Sequence, residues 1–228
     1  MSDIVDFESL NLCQPLLKAL DEIGYVTPTP IQEQAIPLLI EGNDMLGCAQ
    51  TGTGKTAAFS LPILDAMAED PWSGKPQIRV LMLCPTRELA SQIRDNIEEY
   101  ARHLDIRSMV MFGGVSQRPQ VKLLRQGVDI LIATPGRLLD LMGQGHVDLS
   151  YVQFLVLDEA DRMLDMGFRP QIEEIFRGMP RKRQTMLFSA TMPNGVHDLA
   201  LRMTNEALWI EATPPGTTAE GIDERFYS

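Results

Sequence analysis

DMLGCAQTGTGKT, residues 44–56, decides the fold of this chain. Its first six residues are compact and mostly apolar, suited to a buried strand. The run that follows is rich in glycine and threonine, and Lys55 and Thr56 open a stretch with helical spacing. A strand that passes through such a loop into a helix is a phosphate cradle. Gly52 and Gly54 let the backbone turn its N–H groups inward, and the helix N-terminus adds partial positive charge. Ala49, Gln50, Thr51 and Thr53 complete the loop, with Ala49 at a position where the pattern usually has glycine. Lys55 reaches the terminal phosphates of a nucleotide, and Thr56 places a hydroxyl on Mg²⁺.

Further strands follow from short aliphatic runs at 79–84, 108–112, 129–134, 154–158, 185–190 and 208–212. Amphipathic helical stretches separate most of them, including the one from Glu88 to Leu104. This alternation predicts an α/β fold, a mostly parallel sheet with helices on both faces. Ligands then lie beyond the carboxyl ends of the strands. Residues 7–41 precede the first strand and read as a helical extension of the same domain, with a turn at GYVTPTP and a second helix from about Ile31. EDPWSGKPQ (69–77) reads as a surface loop. ATPPGTTAEG (212–221) reads as a linker, so residues 42–212 are expected to form the main body and 213–228 to lead toward a further domain.

FLVLDEAD (154–161) runs a buried strand into three carboxylates, which need a metal ion or a cationic partner. Beside the phosphate loop, Asp158 is placed to hold Mg²⁺ opposite Thr56. Glu159 can orient the attacking water and accept its proton. Asp161 is expected to tie the site to its surroundings through Ser189 or Thr191.

Composition narrows the classes. The chain of 228 residues is 44% hydrophobic and 22% charged, ordinary values for a domain with a core. No apolar run is long enough to span a bilayer, and the acidic N-terminus lacks a signal-peptide pattern, which favours the cytoplasm. Cys13, Cys48 and Cys84 have no CxxC spacing and read as small packing residues. His103, His146 and His197 form no ligand pattern. The net charge of −11 excludes a protein that holds nucleic acid by bulk electrostatics. The basic run Arg181, Lys182, Arg183 reads as a solvated loop, and most of the thirteen methionines read as core.

Taken together, AQTGTGKT and DEAD resemble the N-terminal RecA-like domain of the DEAD-box RNA helicases. GYVTPTPIQ resembles the family's Q motif. PTRELA (85–90), Gly113 and Gly114, TPGR (134–137) and SAT (189–191) resemble its remaining motifs in order, and RMLDMGF resembles the bacterial RhlE-like branch. The resemblance covers residues 7–228 and implies a RecA-like P-loop fold using ATP and Mg²⁺. It implies Lys55, Asp158, Glu159, Ser189 and Thr191 as catalytic. Gln32 would read adenine N6 and N7 with its amide. Phe7 would stack on the base with Tyr25 nearby, unless it only staples the first helix. Pro85, Thr86, Arg87, Gly113, Gly114, Thr134, Pro135, Gly136 and Arg137 would contact RNA backbone with little sequence preference, although Arg87 and Arg137 also suit salt bridges within the domain. The second RecA-like domain would supply an arginine finger and the rest of the RNA site. A monomeric fragment that binds nucleotide and barely turns it over is then expected. Against the helicase stand a nucleotide-binding interaction module and a DNA-directed translocase; GYVTPTPIQ and the DEAD spelling resemble the RNA family.

Overall fold

A computed structural model describes residues 6–211. The proposed linker and IDERFYS lie outside the described residues, as do residues 1–5 and Ala212. Seven strands form one parallel sheet: β1 (Met45–Cys48), β2 (Val80–Leu83), β3 (Ser108–Met111), β4 (Ile130–Ala133), β5 (Phe154–Leu157), β6 (Gln184–Ser189) and β7 (Leu208–Glu211). Their order is β3-β4-β2-β5-β6-β1-β7, and every pairing is parallel. Each expected strand is present, a residue or two shorter at its ends in most cases.

Alternation along the strands divides the core in two. Val80, Met82, Ile130, Ile132, Val156 and Phe188 face one way. They pack with α1 (Gln14–Glu22), α2 (Pro30–Ile40), α3 (Lys55–Glu69) and α4 (Arg87–Tyr100). Leu81, Leu83, Leu131, Leu155, Leu157 and Leu187 face the other way. There they meet α6 (Pro135–Gly143), α7 (Ala160–Asp165), α8 (Arg169–Arg177) and α9 (Asn194–Met203), with Val121 and Leu124 of α5 (Arg118–Gln126) at the margin. Side chains alternate across a strand, so each apolar run feeds both layers, as a parallel sheet requires. Gly47 lets β1 lie under the Phe188 ring, since a Cβ there would come within 2.5 Å of it. Phe188 in turn meets Phe59 of α3 with centroids 5.4 Å apart.

Polar clasps close the rim at the amino ends of the strands. Asp44 accepts from the Thr185 and Asn205 N–H groups, both at 2.7 Å. Arg79 is buried, yet donates to Asp70 and Gln153, so its charge is satisfied. The basic run at 181–183 departs from expectation at its last residue. Arg183 stacks on Phe176 at 4.1 Å and donates to the Pro180 and Met203 carbonyls, and burial lowers its pKa. Arginine's weakly hydrated planar head permits this, so Arg183 anchors its loop. No helix among the described residues is long and apolar enough to cross a membrane.

Candidate functional site

Because every strand is parallel, all the motif loops that follow strands leave one rim of the sheet. The strand order sorts them into neighbouring groups. Residues 49–56, 158–161 and 189–191 follow β1, β5 and β6 on one half. Residues 85–87, 113–114 and 134–137 follow β2, β3 and β4 on the other.

On the first half, Gly52 and Gly54 adopt the left-handed φ values of +87° and +90° that the loop needs. The loop delivers Lys55 into the first turn of α3, where its side chain is only 6% exposed. The Lys55 Nζ lies 3.6 Å from Asp158 Oδ1 and has no hydrogen-bond partner among the described residues. A buried ammonium with unused donors fits phosphate oxygens. Burial pushes the Asp158 carboxyl up, Lys55 opposing, and Asp158 Oδ1 also accepts the Glu159 N–H at 3.0 Å. With Thr56 half-buried at the start of α3, this carboxylate offers a hard-oxygen donor pair suited to Mg²⁺. Among the described residues no cluster of three or more His, Cys, Asp or Glu could hold an ion unaided. Such a pair suits an ion that arrives with phosphates and water.

Glu159 is held on both sides. Its Oε1 accepts from Thr51 Oγ1 at 3.3 Å, and its Oε2 pairs with Arg162 Nη1 at 3.2 Å. Its backbone sits in the left-handed region at φ 55°, uncommon for a residue with a Cβ. Such strain persists only where surrounding contacts enforce it. Asp161 joins β5 to β6: its N–H donates to Ser189 Oγ at 3.1 Å, and its Oδ2 accepts from Thr191 N–H and Oγ1 at 2.9 and 2.8 Å. Burial would raise its pKa, but the bonds from Thr191, the Arg162 N–H and Ser189 outweigh it and hold the carboxyl below its usual range.

Gln32 reaches this loop from α2. Its Oε1 accepts the Thr29 N–H at 2.9 Å, fixing the start of the helix, and its Nε2 donates to the Gly54 carbonyl at 3.1 Å. A Cβ at position 54 would strike that amide at 2.5 Å, so glycine there makes the contact possible. Among the described residues nothing engages the second lone pair or the second N–H of this amide, and Gln32 is 3% exposed. Phe7 is 4% exposed within the core, whereas Tyr25 is 40% exposed and lies 6.1 Å from it by ring centroids. Tyr25 also meets Tyr100, with hydroxyls 3.4 Å apart.

On the second half, Thr86 caps α4 by accepting the Leu89 N–H at 3.2 Å. The Arg87 guanidinium lies over Phe112 at 4.9 Å, and a Cβ on Gly114 would sit 3.3 Å from its Nη1. Arg137 does form the internal pairing open to it, 3.8 Å from Asp140, and donates to the Val115 carbonyl at 3.0 Å. Its Nη1 is buried without a partner among the described residues, a donor left for an anion. Thr134 and Pro135 are buried at the head of α6, while Gly136 and Gly114 are exposed.

Several contacts here were not anticipated. Thr29 and Gln32 have the spacing of a capping box, a legible signal. Arg162 stands three residues after Glu159, in the first turn of the helix that Glu159 precedes, a spacing that is also legible. The bond from Thr51 to Glu159 spans 108 residues and has no local trace.

The model of the family described as DEAD/DEAH box helicase matches residues 29–199, which hold almost all of this rim. This chain belongs to that family. DEAD-box ATP-dependent RNA helicase 28 of rice is 47% identical over 221 residues, covering 95% of this chain and 27% of that protein. ATP-dependent RNA helicase DeaD of Escherichia coli K12 is 44% identical over 223 residues, covering 97% and 35%. The crystal structure of a DEAD box protein from Methanococcus jannaschii superposes with a TM-score of 0.85 at 36% identity, covering 91% of this chain and 56% of that one. The chain therefore spans less than two thirds of the length of each of these relatives. The fold expected from the motifs is the fold of the family.

Proposed function

We propose that this chain is the ATP-binding RecA-like part of an ATP-dependent RNA helicase, a cytoplasmic enzyme that couples ATP hydrolysis to local RNA strand separation. The observation that carries this reading is the shared rim. A phosphate loop with its carboxylates and a row of hydroxyls, glycines and guanidiniums occupy adjoining strand ends of one sheet. The loop N–H groups and Lys55 bind the phosphates, and Thr56 with Asp158 would hold Mg²⁺, which when bound neutralises phosphate charge. Glu159 takes the proton of the attacking water, held in place by Thr51 and Arg162. Ser189 and Thr191 fix Asp161 and so the start of α7. Gln32 reads adenine with its unused lone pair and N–H. Tyr25 offers the exposed ring for stacking, whereas Phe7, the ring expected to stack, is buried behind it. Thr86, Arg87, Gly114, Thr134 and Arg137 contact the sugar–phosphate backbone of RNA, and the loops around Pro85, Gly113, Pro135 and Gly136 shape that path.

A second RecA-like domain completes both sites in this reading, because one face alone cannot exclude water or supply an arginine finger. Residues 1–228 should behave as a monomer that binds adenine nucleotide modestly, binds RNA weakly and separates no duplex. Appending the second domain should restore RNA-stimulated hydrolysis and unwinding together. A duplex-displacement assay decides it: robust ATP-dependent strand separation by residues 1–228 alone would overturn the division of labour.

Gln32→Ala tests base choice. Loss of a bidentate base contact costs about 1–3 kcal/mol, so calorimetry should show weaker ADP binding and reduced preference over GDP. Equal losses for ADP and GDP would assign Gln32 to supporting Gly54 alone.

A further inference from the structure

The chain carries 31 acidic and 20 basic residues, yet residues 106–128 contain no Asp or Glu and include Arg107, Arg118, Lys122 and Arg125. The last three recur at i, i+4 and i+7 on α5, and all are exposed. That spacing lines them along one side of the helix over about 10 Å. The helix keeps its other side inward: Gln120 donates to the Phe112 carbonyl at 3.1 Å, and Val121 and Leu124 pack on the core. Among the described residues no carboxylate lies within ion-pair distance of Arg118, Lys122 or Arg125. Three exposed cations in a row, with no ion pair among the described residues, leave a local positive strip on an acidic protein.

The strip has a shape and a neighbour. Hollows of about 470 and 190 Å³ flank Arg125 and His146, the smaller reaching Lys75. Asp148 lines the smaller hollow, its Oδ1 already accepting the Ser150 N–H at 2.9 Å. At its other end the strip meets the rim. Arg137 reaches the Val115 carbonyl, and Gln117 at the head of α5 bonds Gln144 at 2.8 Å.

We propose that the α5 strip, Arg118, Lys122 and Arg125 with Lys75 beyond, is a second, sequence-independent binding surface for RNA backbone that extends the path from Gly114 and Arg137 down the flank of the domain. This rests on the RNA reading of the rim. Continuity with the rim favours a polynucleotide over an acidic protein, because a strand leaving Gly114 and Arg137 passes onto α5. The surface would hold a longer RNA while the rim engages a few nucleotides.

The test is anisotropy of labelled oligouridylates of about 6 and about 20 nucleotides, a short and a long site size, titrated with residues 1–228 between about 50 and 200 mM salt. The triple variant Arg118→Gln, Lys122→Gln, Arg125→Gln should lose affinity for the long RNA, by up to about a hundredfold near 0.1 M salt. Its salt slope should flatten by about 2, three phosphate contacts at about 0.7 each. Binding of the short RNA should change little. Lys75→Gln alone should give a smaller loss of the same kind, and unchanged thermal unfolding shows that each variant is folded. Arg137→Ala should weaken both lengths. If the triple variant matches the parent in slope and affinity while Arg137→Ala weakens binding, the strip fails and the rim stands. The opposite result removes the rim reading and with it the continuous path, leaving α5 as a separate basic surface. Displacement of a labelled polyglutamate from α5 by nothing but acidic peptide, with RNA indifferent to the triple variant, would assign the strip to a protein partner and overturn the proposal.

Discussion

Lys55→Ala should cost this domain on the order of a hundredfold in ATP affinity and should also destabilise its fold. The two effects have separate origins. Hydrogen bonds to a charged partner contribute about 1.5–3 kcal/mol each, and the Lys55 Nζ has its donors free for phosphate. In the free domain the same ammonium is the neighbouring counter-charge of Asp158, 3.6 Å away with both side chains buried. Removing one member of a buried pair leaves the other uncompensated, at about 3–5 kcal/mol. For a domain of this size that lowers the melting temperature by about 10 °C. The double variant Lys55→Ala, Asp158→Asn separates the effects: it should recover most of the lost melting temperature and none of the nucleotide binding. Recovery of both, read by calorimetric unfolding and by ATP titration, would mean that Lys55 never touches phosphate and serves only to neutralise Asp158.

That pair also shows what was legible in the sequence and what was not. Each strand announced itself, because a short run of mostly apolar residues between turn signals has few other fates. Strand order did not. Nothing in MLGC says that β1 lies between β6 and β7, since neighbours are chosen by how the crossing helices pack on the sheet. The motif residues could be placed at strand ends, and the shared rim followed from a parallel sheet. Their partition into two adjoining halves depends on the strand order and emerged only with it. Polar contacts divided by range. Asp161 with Ser189 and Thr191 was foreseeable because both ends sit in motifs. Thr51 with Glu159, and Gln32 with the Gly54 carbonyl, depend on loop paths that no local pattern encodes. Arg183 misled for another reason: a run of three cations reads as solvated, but a guanidinium can lie flat on Phe176 where an ammonium would not.

Glu159→Gln should abolish ATP hydrolysis in a protein carrying both RecA-like domains while leaving ATP binding within about twofold. The argument starts from the backbone. Glu159 is pinned in the left-handed region between β5 and α7, and its carboxylate is clasped by Thr51 and Arg162, so the side chain points one way before any ligand arrives. Glutamine has the same length and shape and keeps an acceptor oxygen for one of those donors, so the loop should hold its course. What it lacks is basicity. A positioned general base contributes about 10² to 10⁴ in rate, and that factor should vanish while the Lys55 cradle stays intact. Single-turnover hydrolysis with radiolabelled ATP measures the first quantity and equilibrium binding the second. A Glu159→Gly variant sharpens the reading. It relieves the strained φ but deletes the carboxylate, so it should be folded and as inactive as Glu159→Gln. If Glu159→Gln turns over ATP at the unmutated rate, the water is activated elsewhere. The strain at position 159 would then serve only to bring Asp158 up to Lys55.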